Sequence, residues 1–220
     1  MSKIQTLIVT MNRDDCEELL EKMNIRTDFV IGNQTQHDEK KRVKFRDKNG
    51  TIVCRTDKGV GKNRNTALFE SDADICILAD DDMTFLTGYE DTVRTVFEEN
   101  QDADVIVFNL ANEGVYEGER AVKHRKRVTI FNYMNYGAAR LAFRRNAILK
   151  KGISFHTCFG GGTEYQSGED SLFIRECIRK KLKVRAVSEC IAKIEDNSQS
   201  SWFVGYNEKY FFDKGAFLGV

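Results

Sequence analysis

Residues 75–82 read Ile-Cys-Ile-Leu-Ala-Asp-Asp-Asp, so five apolar residues run directly into three carboxylates. A short continuous apolar run is typical of a strand that is buried on both faces, as in a parallel sheet covered by helices. In open α/β sheets ligands bind beyond the carboxyl ends of the strands, which is where these aspartates fall. Because adjacent carboxylates repel one another, the pattern predicts a positive partner, either a divalent cation or Lys and Arg side chains. The alternative is a solvated acidic turn in which Asp81 or Asp82 caps the next helix.

Composition limits the class of protein. The 220 residues provide for one sizeable α/β domain, and 34 Lys plus Arg against 34 Asp plus Glu give zero net charge, which argues against a binder of long nucleic acid. No apolar run approaches the roughly 18 to 20 residues that cross a bilayer. The N-terminus is unlike a signal peptide, and the six scattered cysteines indicate buried thiols in a reducing compartment. We therefore expect a cytoplasmic protein without a transmembrane segment. The basic run Lys123–Arg127 favours a solvated loop, and peripheral contact with the inner face of a membrane is left open.

The first third of the chain reads as strand, helix, strand. Ile4–Thr10 predicts a strand, 12–15 opens an amphipathic helix, and Phe29–Ile31 predicts a second strand, which favours a parallel pair with a right-handed crossover. The polar stretch Gln34–Arg42 predicts a surface loop. After it, the turn signal Asn-Gly within Asp47–Gly50 predicts a hairpin.

Two glycine-rich segments each precede a helix. Gly59-Val60-Gly61-Lys62-Asn63-Arg64 brings cations to a helix start, which suits an anion such as a phosphate, although the spacing is not that of a Walker A loop. A glycine turn with solvated cations is the alternative. The second segment, 159–170, ends in Glu169-Asp170. These acids suit a functional site or, through Ser167-x-x-Asp170, a capping box. The aromatic tail 198–219 predicts either packing over the domain or a sugar-binding surface.

Taken together, the motifs resemble those of the GT-A glycosyltransferases, and within them family 2, over essentially the whole chain. The residues that carry the resemblance are Thr-x-Asn-Arg after the first strand, Lys-x-Arg-Asn at a helix start, Asp80–Asp82, and Gly168-Glu169-Asp170. The resemblance implies an α/β, Rossmann-like GT-A fold with a central, mostly parallel sheet flanked by helices. It implies one domain over 1–220, with a donor-binding half of about 1–112 and an acceptor or catalytic half of about 113–220.

The resemblance also implies an activity. A nucleoside-diphosphate-sugar, with UDP-sugars the first expectation, would donate its sugar to a hydroxyl on a glycan or lipid-linked acceptor, with Mn²⁺ or Mg²⁺ and with inversion. Polysaccharide assembly is the family-level setting. The absence of Gln-x-x-Arg-Trp argues against a processive synthase.

The site residues follow by position in the motifs. Asp170, with Glu169 beside it, matches the catalytic base. Asp82 matches the metal ligand, Asp80 the ribose contact and second ligand, and Asp81 a competing ligand. The expected donor-binding residues are Thr10, Asn12, Arg13, Asn33, Lys62, Arg64, Asp80 and Asp81. The expected acceptor-side residues are Trp202, Gly161 and Gly162.

Two departures from the family pattern stand out. Asn33 replaces the Asp of many members, and no histidine lies near Trp202, so that Glu195 or Asp196 remains open as a late metal ligand. Two rival functions remain. A sugar nucleotidyltransferase would need a glycine-rich loop directly after the first strand, and residues 10–13 contain no glycine. A degenerate GT-A domain that acts as a binding or scaffold module is the non-enzyme alternative.

Overall fold

The computed structural model describes residues 1–111, 121–194 and 205–220, which form ten strands and six α-helices. The strands are β1 (Ile4–Met11), β2 (Asp28–Gln34), β3 (Glu39–Phe45), β4 (Lys48–Arg55), β5 (Ile75–Asp80), β6 (Met83–Phe85), β7 (Val105–Ala111), β8 (Lys126–Arg127), β9 (Leu141–Arg144) and β10 (Val184–Ile194). The helices are α1 (Cys16–Lys22), α2 (Val60–Glu70), α3 (Tyr89–Glu99), α4 (Arg145–Lys150), α5 (Glu169–Arg179) and α6 (Glu208–Gly219). Two 3-10 turns lie at Tyr133–Asn135 and Ala138–Arg140.

The strands form one sheet in the order β3-β4-β2-β1-β5-β9-β7-β10-β6, with β8 beside β10. The block β4-β2-β1-β5 is parallel, and β7 and β10 are parallel to each other. Strand β9 lies antiparallel between β5 and β7. Because the chain places β2 on one side of β1 and β5 on the other, the strand order reverses at β1. A crevice opens at such a switch point, beyond the carboxyl ends of the strands.

Strand β5 is buried on both faces, as its apolar run predicts. Cys76 and Leu78 point to a core that includes Phe173 of α5, whereas Ile77 and Ala79 point to the opposite core, which includes Phe97 of α3. All five residues from Ile75 to Ala79 are 2% exposed or less. The sheet therefore holds the end of β5 rigidly, and with it the aspartates that follow.

The predicted loop over Gln34–Arg42 is wrong from Glu39 onward, because these charged residues form the edge strand β3. Its side chains are mostly exposed, and charged side chains on an edge strand hinder pairing with other chains. The predicted hairpin turn is also misplaced. Phe45 pairs with Lys48, so the turn is Arg46-Asp47, with Arg46 at a left-handed φ of 53°.

Gly50 lies inside β4 for a packing reason. A Cβ at this position would lie 2.1 Å from the ring of Phe29, so the glycine gives space to an aromatic side chain of the neighbouring strand. All six cysteines are free, and Cys54, Cys76 and Cys177 are buried. None of the helices in the described parts of the chain has the length and apolar character needed to cross a bilayer.

Candidate functional site

The ends of β1, β2 and β5 bring three polar residues to one edge of the sheet. The register pairs Thr10 with Asn33 and Val9 with Asp80, so all three strands end at the same level. The hydroxyl of Thr10 donates a hydrogen bond to Oδ2 of Asp81 over 2.5 Å, and Nη2 of Arg13 lies 3.9 Å from the same oxygen. The structure thus brings together the predicted donor-side residues of the first and fifth strands.

Asn33 closes the turn that follows β1. Its Nδ2 donates to the carbonyl of Arg13 over 2.8 Å, and its Oδ1 accepts from the Arg13 N–H over 3.3 Å. Asn12, between the strand and Arg13, has a left-handed φ of 48°, which asparagine tolerates better than most residues. An aspartate at position 33 has no N–H to donate to this carbonyl, which explains an amide here.

The three aspartates form the turn between β5 and β6. The alternative in which Asp81 or Asp82 caps a helix is wrong, because β6 follows at once and α3 begins only at Tyr89 with Gly88 as its N-cap. The side chains of Asp80 and Asp81 are 36% and 37% exposed. Both have the positive partner that the sequence predicts, Arg64 for Asp80 and Arg13 for Asp81.

Arg64 is the central cation of the site. Its side chain is only 6% exposed; Nη2 donates to Oδ1 of Asp80 over 2.8 Å, and Nη1 donates to Oε1 of Glu169 over 2.6 Å. Its Cζ lies 5.7 Å from the ring centroid of Phe155. Burial disfavours the charged guanidinium, but Asp80 and Glu169 outweigh burial and hold the pKa of Arg64 above its ordinary value. Lys62, two residues earlier, is exposed and lies 3.8 Å from Asp57.

The two acids at the start of α5 have different surroundings. Helix α5 begins at Glu169 with Gly168 as its N-cap and without a side-chain cap, so the capping-box interpretation is wrong. Glu169 is buried against Gly160, where a Cβ would lie 2.7 Å from the carboxylate, and one of its oxygens is paired with Arg64. Glu169 is therefore held in a buried ion pair.

Asp170 is partly exposed. Its Oδ1 accepts a hydrogen bond from the Ser171 N–H over 2.6 Å, and its Oδ2 faces Gly137, at 3.4 Å from the place that a Cβ would take. Burial and then the charge of Glu169 raise the pKa of Asp170 to about 6, although Arg64 acts in the opposite direction. A carboxylate with such a pKa takes up a proton readily near neutral pH.

The glycines around α2 allow two chain segments to pass closely. A Cβ at Gly61 would lie 2.3 Å from the carbonyl oxygen of His156, and the Val60 N–H donates to the Gly161 carbonyl over 3.0 Å. The segment 156–163 thus crosses the N-terminus of α2. Gly161 and Gly162, predicted on the acceptor side, are exposed on this segment. Trp202, Glu195 and Asp196 lie outside the described residues.

Helix α6 packs over the segment that leads to Asp170. Phe217 fills the space beside Gly168 and meets Phe159 at 6.5 Å between ring centroids. The buried carboxylate of Asp213 accepts from the Gln166 N–H over 3.0 Å. This part of the aromatic tail therefore packs on the domain, as one of the two interpretations of the sequence predicts.

Two asparagines next to Arg64 connect the parts of the site, and the sequence alone did not single them out. Asn63 donates from Nδ2 to the carbonyls of Thr10 and Gly32, at 3.1 and 2.9 Å, and so joins the ends of β1 and β2. Asn65 makes two hydrogen bonds with the backbone of Phe155, at 2.9 and 2.8 Å. The Lys-x-Arg-Asn pattern is the signal that contains both residues.

The carboxylates of 80–82 offer the hard oxygen ligands that Mg²⁺ and Mn²⁺ prefer, so the donor set fits a divalent cation. Within the ranges that the structure describes, the metal-ligand atoms that lie within 4.8 Å of one another belong instead to His37, Glu39 and Cys54. That set lies at the β3–β4 edge, where Nε2 of the exposed His37 is 3.8 Å from a carboxylate oxygen of Glu39.

No protein-family model matches the chain, and no curated protein matches it by sequence. Among solved structures, S. aureus TarS (residues 1–349) in complex with UDP-GlcNAc has a TM-score of 0.70 at 15% identity, over 98% of this chain and 65% of that chain. The mannosyltransferase PcManGT from Pyrobaculum calidifontis, in complex with GDP-Man and Mn²⁺, has a TM-score of 0.58 at 13% identity, over 91% and 59%. The chain has the GT-A glycosyltransferase fold.

The predicted α/β fold is thereby confirmed, and the GT-A comparison agrees with the parallel block that carries the strand-end residues. The chain spans 65% of the length of the TarS fragment. At these identities the GT-A likeness concerns the fold, whereas the chemistry must be argued from the side chains.

Proposed function

We propose that the protein is a nucleotide-sugar-dependent glycosyltransferase that uses a divalent cation and a single displacement with inversion. The observation that supports this most strongly is the meeting of Asp80 and Glu169-Asp170 around one buried arginine. Asp80 and Glu169 are about two fifths of the 220-residue chain apart, yet Arg64 contacts both within 2.8 Å. A strand-end carboxylate suited to a donor and a separate carboxylate suited to a base thus share one site.

On the donor side, Asp80 and Asp82 are the proposed metal ligands, with Asp81 beside them. Carboxylates do not approach a diphosphate without a cation between them, and a bound cation stabilises the charge that grows on the departing diphosphate. Thr10, Asn12, Arg13 and Asn33 surround the proposed nucleobase and ribose region at the ends of β1 and β2. Since the two similar structures contain UDP-GlcNAc and GDP-Man with Mn²⁺, UDP- and GDP-sugars are the donors to test first.

On the acceptor side, Asp170 is the proposed general base. Oδ2 takes the proton of the acceptor hydroxyl while the hydroxyl oxygen bonds to the anomeric carbon and the bond from that carbon to the diphosphate breaks. The nucleoside diphosphate leaves with the bonding electrons. Inversion requires one carboxylate on the acceptor side, and Asp170 has a raised pKa of about 6 that suits this task. A glycan or lipid-linked hydroxyl is the proposed acceptor, with Gly161, Gly162 and Trp202 on its side.

The experiment is a thermal-shift series with UDP, UDP-GlcNAc, GDP and GDP-mannose, each with and without Mn²⁺. A ligand at 100 times its Kd stabilises the folded state by about 2.7 kcal/mol, which raises Tm by about 5 to 10 °C for a chain of this size. We expect one nucleobase to give this rise, and only with metal. Asp82→Ala should abolish it, whereas Asp47→Asn, which changes a 77% exposed carboxylate of the β3–β4 turn, should leave it intact.

A wild-type protein that responds to none of these nucleotides with metal would contradict the proposed donor site. It would favour the degenerate binding module. An unchanged metal-dependent rise in Asp82→Ala would instead remove Asp82 from the ligand set while leaving the donor assignment in place.

A further inference from the structure

The buried ion pair between Arg64 of α2 and Glu169 of α5 is not part of the displacement step proposed above. Arg64 is too enclosed to serve as a simple phosphate contact, because its side chain is 6% exposed and both of its Nη atoms donate to carboxylates. We infer that Arg64 is a positioning residue, which joins the donor-side end of β5 to the start of α5, and that Glu169 is its anchor rather than a second base. This inference rests on the proposed function of Asp170 and Asp80.

The geometry favours a link that is rigid. Arg64 is separated in sequence from Asp80 by 16 positions and from Glu169 by 105. One planar guanidinium therefore connects two elements that are remote in sequence. Phe155 lies against the guanidinium, and the main chain of Phe155 is itself bonded to Asn65. A planar guanidinium with two fixed partners holds both at a defined separation.

The position of Asp170 depends on this link. Glu169 is the first residue of α5, and Asp170 is the next, so the bond to Glu169 fixes the helix start that carries the base. Gly160 leaves room for the Glu169 carboxylate beside the preceding segment, because a Cβ at position 160 would lie 2.7 Å from that carboxylate. With one of its carboxylate oxygens committed to Arg64, Glu169 is poorly placed to accept a proton from an acceptor.

The link also sets the charge around Asp170. The charged groups that act on Asp170 are Glu169 on its own helix, Arg64 on α2 and Asp80 on β5. Glu169 and Asp80 disfavour the ionised form of Asp170, and Arg64 favours it. Removing either member of the ion pair should therefore move the pKa of Asp170, and the two removals should move it in opposite directions.

The test uses Glu169→Gln, Arg64→Met and the double variant, with Glu176→Gln on the same helix as the control. The first readout is the pKa of Asp170 from carboxyl ¹³C NMR, with its signal assigned through Asp170→Asn. Removing a neighbouring like charge lowers a carboxyl pKa by about one pH unit, and removing a neighbouring cation raises it by a similar amount. We expect Glu169→Gln to lower the pKa, Arg64→Met to raise it, and the double variant to lie between them. Glu176→Gln should leave it unchanged.

The second readout is the hydrolysis of the nucleotide-sugar that the thermal-shift series selects, measured against pH with Mn²⁺. For Glu169→Gln we expect the acid limb of kcat to move down by about one pH unit with donor Kd within about threefold of wild type. For Arg64→Met we expect kcat to fall more than donor Kd changes, because the base is displaced while most donor contacts remain.

Several outcomes would overturn the inference. One is an Asp170 pKa that does not move, or that moves the same way in both single variants. Another is a folded Glu169→Gln protein that binds donor but is inactive at every pH, which would make Glu169 the base. Arg64→Met leaves Glu169 buried without its partner and is expected to lose stability. If Arg64→Met does not fold, the pKa of Asp170 in Glu169→Gln tests the inference alone, because glutamine keeps a hydrogen-bond acceptor for Arg64. Because the NMR readout needs no donor, absent donor binding in the wild type would contradict the proposed function separately.

Discussion

Replacing the proposed base should stabilise the protein while it removes activity. In the folded state burial and the charge of Glu169 raise the pKa of Asp170 to about 6 from an ordinary 3.8, so ionisation of Asp170 destabilises the native state at neutral pH. At about 1.4 kcal/mol for each pH unit, the difference corresponds to about 3 kcal/mol. Asp170 is partly exposed, and solvent screening reduces this to about 1 to 2 kcal/mol. Asp170→Asn should gain that amount in free energy of unfolding.

The gain must depend on pH in a defined direction. A carboxyl whose pKa is raised on folding contributes stability only when it is protonated, and this contribution is lost as pH rises through the folded-state pKa. The advantage of Asp170→Asn is therefore complete above about pH 7, and at pH 4.5 it falls to about a third of that value. Urea unfolding at pH 7.5 and 4.5 measures both values, and turnover in the variant should fall by about 10² to 10⁴.

Asp91→Asn is the matched control for this prediction. Asp91 is an exposed acid in the first turn of α3, which has 11 residues like α5. Its replacement removes a favourable interaction with the helix dipole and should cost about 0.3 to 1 kcal/mol. If Asp170→Asn is no more stable than wild type at pH 7.5, or gains equally at both pH values, the charge of Asp170 is not disfavoured by the fold. Retained turnover in that variant would remove Asp170 from the role of base.

Two further predictions concern the contacts around the site. Asn65→Ala leaves the buried N–H and carbonyl of Phe155 unpaired, at about 1 to 3 kcal/mol for each group, so urea unfolding should show a loss of about 2 to 6 kcal/mol. Thr66→Ala on the same helix should change stability by less than about 0.5 kcal/mol, and equal effects of the two changes would contradict this role of Asn65. Gly137→Val places a side chain toward Oδ2 of Asp170, so sugar transfer to glycerol as a surrogate acceptor should fall more than hydrolysis of the donor. The metal-dependent rise in Tm should persist in Gly137→Val. As the control, Gly215→Ala should alter neither the rate of transfer nor the rate of hydrolysis. An unchanged transfer-to-hydrolysis ratio in Gly137→Val would show that Gly137 does not border the acceptor.

The strand over residues 75–79 could be predicted from the sequence, because the length and apolar composition of this run leave few alternatives. A strand of five apolar residues has both faces to bury, and the sheet order indeed places β5 between β1 and β9. The hairpin turn could not be placed in the same way. Asn49-Gly50 carries the stronger local turn signal, yet Gly50 is required inside β4 by the ring of Phe29, 21 residues away. Local propensity there was overridden by a contact between strands.

The sequence by itself determined the class of fold and the residue types of the candidate site. Hydrophobic periodicity, glycine positions and runs of carboxylates are properties of neighbouring residues, and they predicted strand ends, helix starts and acids at both. Only the tertiary structure decided the surroundings of each acid. Glu169 and Asp170 are adjacent in sequence, but Arg64, which is 105 residues from Glu169, buries one in an ion pair, and Gly137 faces the other. Such contacts depend on how helices pack across the sheet, so no local pattern in the chain distinguishes the two carboxylates.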